Sequence, residues 1–191
     1  MLLVTTTYDT SEETRARALE AAAELGAEYL PRGRTSLARL KKQYPGADFV
    51  VAGRTTLEWH PAGGKEPFFF HPGMSLIRAK RLSAGNSDPM LECSGFVPGD
   101  SVIDATAGLG ADAIVFSFAG GAESRITAVE SETPLHFIVS RGLREYESGW
   151  DSFDQAMRRV AAVRSDHSSY LRTLPDRSVD VVASGLTLNF V

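Results

Sequence analysis

Ser101-Val102-Ile103-Asp104-Ala105-Thr106-Ala107-Gly108-Leu109-Gly110-Ala111-Asp112 is the stretch on which the fold turns. Its start reads as a buried strand that closes on an acid. Two glycines then carry the chain into a helix expected over 111–119. Glycine has no Cβ, so a turn built this way lets backbone amides come close to a ligand.

Downstream of this stretch, strand and helix patterns alternate. Strands are expected at 102–105, 125–130, 161–164 and 179–183, and helices at 111–119, 134–147, 151–160 and 168–174. Pro134 suits the first turn of its helix, where its missing N–H costs nothing. Such alternation implies a parallel sheet. Upstream, strands are expected at 2–7, 28–30, 48–52, 55–60 and 66–70. Thr10-Ser11-Glu12-Glu13 reads as a capping box, with Thr10 as N-cap. It opens a helix that puts Ala16, Leu19 and Ala23 on one face and ends at Gly26. A second helix runs over 36–44, and a third follows Phe68-Phe69-Phe70-His71-Pro72-Gly73-Met74, whose phenylalanines read as core. Asn86-Ser87-Asp88-Pro89 starts a short helix ending near Gly95. The expected organisation is an α/β chain with a small αβ lobe over 1–94 and a partial Rossmann-like sheet over 95–191.

Composition bounds the function. The chain has 191 residues, 43% hydrophobic and 23% charged, with a net charge of −4. That is globular composition without a global bias toward nucleic acid. The single cysteine, Cys93, allows no internal disulfide and fits a reducing compartment. Met1-Leu2-Leu3-Val4 is too short for a signal h-region and has no basic residues before it, and the longest apolar run, 113–122, is too short for a membrane span. A cytoplasmic protein with no membrane partner is expected.

In an open parallel sheet, ligands bind beyond the carboxyl ends of the strands. Asp104 ends the first strand there and Gly108 and Gly110 follow it. Glu130 ends the second, at the distance where a carboxylate accepts from both ribose hydroxyls of a nucleoside. Asp166, after the third strand, can accept from an adenine amino group. An acid four residues before the first glycine suits a cationic ligand better than a pyrophosphate. The pattern points to S-adenosylmethionine (SAM). Gly108-Leu109-Gly110-Ala111-Asp112-Ala113 also fits the dinucleotide fingerprint, so a nicotinamide cofactor is the alternative.

The run Asp104–Ala113 closely resembles the first motif of the SAM-dependent methyltransferase family that includes the small-subunit rRNA guanine-N2 methyltransferase. Phe69-Phe70-His71-Pro72-Gly73-Met74-Ser75 resembles a Firmicute-type branch of that family. The resemblance spans Val4 to about Val182. It implies a class I methyltransferase fold and SAM contacts at Ala111 and Asp112, Glu130 and Ser131, and Asp166 and His167. It makes rRNA one candidate acceptor. In the family an Asp-Pro or Asn-Pro pair follows the fourth strand and helps hold the substrate amine. Here Val182 leads into Ala183-Ser184-Gly185-Leu186-Thr187-Leu188-Asn189-Phe190-Val191, without that pair. The expected function is that of a class I SAM-dependent methyltransferase, with a truncated or frameshifted SAM-binding protein of little turnover as the alternative. The fourth strand would then be an edge, open to self-association, with Leu186, Leu188, Phe190 and Val191 seeking cover.

No residue is assigned a catalytic role, because the sulfonium of SAM carries its own leaving group. No metal is expected, since His60, His136 and His167 lack ligand spacing with one another or with Cys93. His71 is a candidate to line the transfer site. Arg78, Lys80 and Arg81 are candidates for phosphate contacts. Arg39, Lys41 and Lys42 read as a solvated face, and Trp59 and Trp150 as packing residues.

Overall fold

The structure, a computed structural model, describes residues 1–8, 10–64 and 66–185. Two compact units meet between Phe70 and His71.

The first unit runs β1 (Leu2–Thr6), α1 (Glu12–Leu25), β2 (Glu28–Tyr29), α2 (Leu37–Gln43), β3 (Asp48–Ala52), β4 (Leu57–His60) and β5 (Phe68–Phe69). Its sheet order among the described residues is β2-β1-β3-β4-β5. The first three of these neighbours are parallel and the last two antiparallel additions. Leu3, Phe49 and Val51 pack with Leu40 of α2 in one core cluster. Ser11, not Thr10, caps α1, its hydroxyl accepting from the Thr14 N–H at 3.3 Å. The buried face of α1 is Thr14, Ala18, Ala21 and Ala22, whereas Ala16, Leu19 and Ala23 are exposed. An alanine-rich helix gives no periodic contrast, so its facing is set by the sheet it lies on. Phe68 and Phe69 are 41% and 44% exposed, which corrects their reading as core. Their strand lies at the sheet's edge, and Phe68 stacks on the buried Trp59 instead.

The second unit begins with α3 (Gly73–Ser83) and α4 (Pro89–Ser94). It continues β6 (Ser101–Asp104), α5 (Ala111–Gly120), β7 (Arg125–Glu130), α6 (Thr133–Glu145), α7 (Asp151–Arg159), β8 (Ala161–Arg164), α8 (His167–Leu171) and β9 (Val181–Ala183). Among the described residues the strands pair in the order β8-β7-β6-β9, all parallel. Helix α3 thus stands in the second compact unit, which begins at His71. Helix α3 packs on α5, and the Ser75 hydroxyl donates to the Ala111 carbonyl at 3.1 Å. A helix's own pattern says that one face is apolar; it does not say which sheet that face meets.

Helix α5 is buried from Ala113 through Ser117, because α3 and α7 cover it away from the sheet. Ile103, Ala105 and Val129 form a cluster closed by Tyr170, Leu171, Leu174 and Val179. Strand β9 is shorter than the expected 179–183. Val179 joins that cluster, and the Asp180 carboxylate accepts from the Ser101 N–H at 2.8 Å and its hydroxyl at 2.7 Å. These bonds fix β9 against β6 at the amino end of the sheet. Leu186, Leu188, Asn189, Phe190 and Val191 lie outside the described residues. Among those residues, no helix is long and apolar enough to cross a membrane.

Candidate functional site

The chain crosses from β6 to β7 to β8, then returns to place β9 on the other side of β6. The reversal opens a switch point between the carboxyl ends of β6 and β9, where ligands of open α/β sheets bind. Asp104 stands at that point, paired in register with Ala128 on one side and Ala183 on the other.

Asp104 is 3% exposed. Burial pushes its carboxyl up to about 6, and the negative charges of Asp112 and Glu130 add to the effect. The backbone N–H groups of Thr106 and Ala113 pull the other way, that of Thr106 donating at 3.3 Å. Three carboxylates thus share one field. Buried acids that are not paired with a cation are costly, and a positive ligand relieves that cost.

The glycine turn follows. Gly108 and Gly110 have φ of +50° and +76°, a region that other residues enter only under strain. The Gly108 N–H donates to Glu130 Oε2 at 3.1 Å, and the Glu132 N–H donates to Oε1 at 2.9 Å. Glu130 therefore ties the turn to the loop after β7, and each oxygen keeps a lone pair for a further donor. A Cβ on Gly108 would project into open space, whereas one on Gly110 would stand 3.5 Å from Val139 Cγ1. Gly108 is half-buried and borders that open space; Gly110 is buried and faces α6.

Ala111 and Asp112 open α5. The Ala111 carbonyl is taken by Ser75, and Asp112 Oδ1 accepts from Arg78 Nη1 at 2.6 Å. Thr106 is exposed at the same edge, its hydroxyl donating to the Gly185 carbonyl at 3.1 Å. Asp104, Gly108, Asp112 and Glu130 are thus brought together through the turn. Ser131 is exposed in the loop beyond Glu130. Asp166 and His167 lie at the start of α8, both exposed. There Asp166 acts as the N-cap, accepting from the Ser169 N–H at 2.9 Å and its hydroxyl at 3.0 Å. Those bonds hold its carboxyl below the usual range. His71 meets Tyr146 edge-on, with ring centroids 6.5 Å apart. Two contacts at this edge escaped sequence reasoning. Thr106 sits inside the motif but carries no charge signal. Arg78 pairs with acids 10 and 34 residues away, a pairing without a local pattern. Among the described residues no cluster of His, Cys, Asp and Glu is arranged to hold a metal.

No family profile matches the chain. It is 36% identical over 180 residues to the Bacillus subtilis (strain 168) protein described as "Uncharacterized protein YpiP", spanning 94% of this chain and 69% of that one. It is 30% identical over 127 residues to ribosomal RNA small subunit methyltransferase J of Rhodopseudomonas palustris (strain HaA2), covering 65% of this chain and 52% of that protein. The chain thus spans about half the length of that second relative. The crystal structure of the SAM-dependent methyltransferase NGO1261 from Neisseria gonorrhoeae superposes with a TM-score of 0.64 at 15% identity, over 98% of this chain and 70% of that one. At that identity the likeness is one of fold, and the fold is Rossmann-like α/β.

Proposed function

We propose that this chain, which belongs to the family of the Bacillus subtilis protein YpiP, binds S-adenosylmethionine at the carboxyl edge of its second sheet and serves in methyl transfer. The observation that carries the reading is Asp104: a buried carboxylate at the switch point, raised toward neutrality, with Asp112 and Glu130 around it. Such a donor set suits a ligand that brings positive charge and several N–H and O–H groups. SAM has a sulfonium, an ammonium and a ribose diol. A dinucleotide brings a pyrophosphate, which three carboxylates would repel. The resemblance to rRNA methyltransferase J and the fold shared with NGO1261 support the same reading.

On this reading Glu130 accepts from the ribose hydroxyls with the lone pairs that the Gly108 and Glu132 amides leave free. Asp104 lies under the charged end of the ligand, and the open space over Gly108 admits it. Ala111, Asp112 and Ser131 border that space, and Asp166 and His167 serve the adenine. SAM supplies an activated methyl group with its own leaving group. This chain's residues then have to orient the donor, exclude water and hold the acceptor in line. RNA is the acceptor that the likeness to methyltransferase J suggests. The edge of β9 away from β6 is a further candidate surface, where two copies could pair; a concentration series in sedimentation tests it.

Calorimetric titration with SAM, S-adenosylhomocysteine and NADH tests the binding. Saturable uptake of the first two is expected. Uptake of NADH with neither of the others would give the site to a dinucleotide.

A further inference from the structure

Arg78 lies midway along α3 with its side chain 20% exposed. Its Nε donates to Asp88 Oδ2 at 2.7 Å and its Nη2 to Asp88 Oδ1 at 2.8 Å. This two-pronged contact fixes the plane of the guanidinium as well as its place. Asp88 is itself anchored: it caps α4, accepting from the Met90 N–H at 3.1 Å, and its side chain is 8% exposed. The third reach of the fork, Nη1, meets Asp112 Oδ1 at 2.6 Å. The two carboxylates hold the guanidinium firmly in its charged form, the bond to Asp88 foremost. Arg78, a candidate for phosphate contacts, directs these three donors at acids of its own unit. Lys80 and Arg81 are exposed on the same helix.

Asp112 needs such a partner. It opens α5 with its side chain 39% exposed, so packing alone does not fix its rotamer. Its second oxygen, Oδ2, lies 3.8 Å from where a Cβ on Gly185 would stand, a point also 3.9 Å from the Thr106 hydroxyl. That is the side of the switch point between β6 and β9.

We propose that Arg78 is a positioning residue for the SAM site: it occupies Asp112 Oδ1 and so presents Oδ2 as the oxygen that accepts from the ligand. The inference rests on the SAM reading given above. Arg78 also lessens the repulsion among Asp104, Asp112 and Glu130, since it offsets one of their charges. A lysine at 78 keeps the charge but cannot grip Asp88 with two prongs while reaching Asp112.

The test is a mutant cycle on SAM affinity, using wild type, Arg78→Lys, Arg78→Met, Asp112→Asn and Arg78→Lys/Asp112→Asn, with circular dichroism as the check on folding. Each single change at 78 should weaken SAM binding about tenfold, and in the Asp112→Asn background Arg78→Lys should add less than about twofold. Wild-type affinity in Arg78→Lys would mean that charge, not position, matters. A full further loss in the double variant would mean that Arg78 acts elsewhere. Either result overturns the proposal while leaving the SAM reading intact. A wild type that takes up neither SAM nor S-adenosylhomocysteine sinks both. If Arg78→Met does not fold, the lysine variant carries the cycle.

Discussion

Asp104 and Glu130 do different work at one edge, and their substitutions should separate. Asp104 has its folded pKa raised from 3.8 to about 6. A carboxylate shifted upward contributes stability that is present below its unfolded pKa and lost as pH rises through the folded one. Wild type therefore carries a penalty of roughly 3 kcal/mol above pH 6, the free energy of a roughly hundredfold weaker acid. Asp104→Asn removes that penalty. Its urea midpoint should exceed that of wild type at pH 8, and the gap should close toward pH 4. Parallel pH profiles would show that Asp104 ionises at no unusual cost. SAM affinity should move the opposite way, falling in Asp104→Asn because the neutral amide no longer attracts the cation. For Glu130→Ala, loss of charged acceptor bonds should weaken SAM by roughly 1.5–3 kcal/mol. Some stability should go with it, because the Gly108 and Glu132 amides lose their acceptor. Unchanged calorimetric affinity would withdraw the ribose assignment.

On the proposed reading, the glycine turn and the strands beside it set what can enter the site. Gly108 and Gly110 share left-handed backbone but face different ways. Asparagine tolerates that conformation better than other residues. Gly108→Asn should therefore leave the melting temperature within a few degrees and abolish SAM binding, by filling the open space. Gly110→Val should lower stability by at least ~1–2 kcal/mol, since a β-branched residue is forced to positive φ beside Val139. Thermal melts with ligand titrations on both variants decide. If Gly108→Asn binds normally, the ligand does not cross the turn there.

At the scale of the molecule, the division before His71 makes a prediction about fragments. A chain starting at His71 keeps α3, and with it the bonds from Ser75 and Arg78 to the start of α5. One starting at Gly95 loses them and uncovers buried α5. The longer fragment should bind SAM within about tenfold of the whole chain, and the shorter should bind weakly or aggregate, as exposed apolar helix faces do. Equal binding by both in calorimetry would make α3 dispensable.

The βα alternation, the parallel sheet and the glycine turn were legible in the sequence because they rest on local periodicity and on residues with special backbone demands. The places of Asp104 and Glu130 at strand ends were legible for the same reason: strand ends are marked by the chain itself, and the topology of such sheets puts those ends on one edge. The sequence could not say that α3 belongs with the second sheet, that α1 lies on Thr14 and Ala18 rather than Ala16 and Leu19, or that Phe68 and Phe69 stay near the surface. Nor could it give Arg78 its two acids. These are contacts between segments far apart in the chain. They are decided by which apolar face finds which sheet, and by whether a buried charge has a partner within hydrogen-bond reach, and only the packed structure settles either.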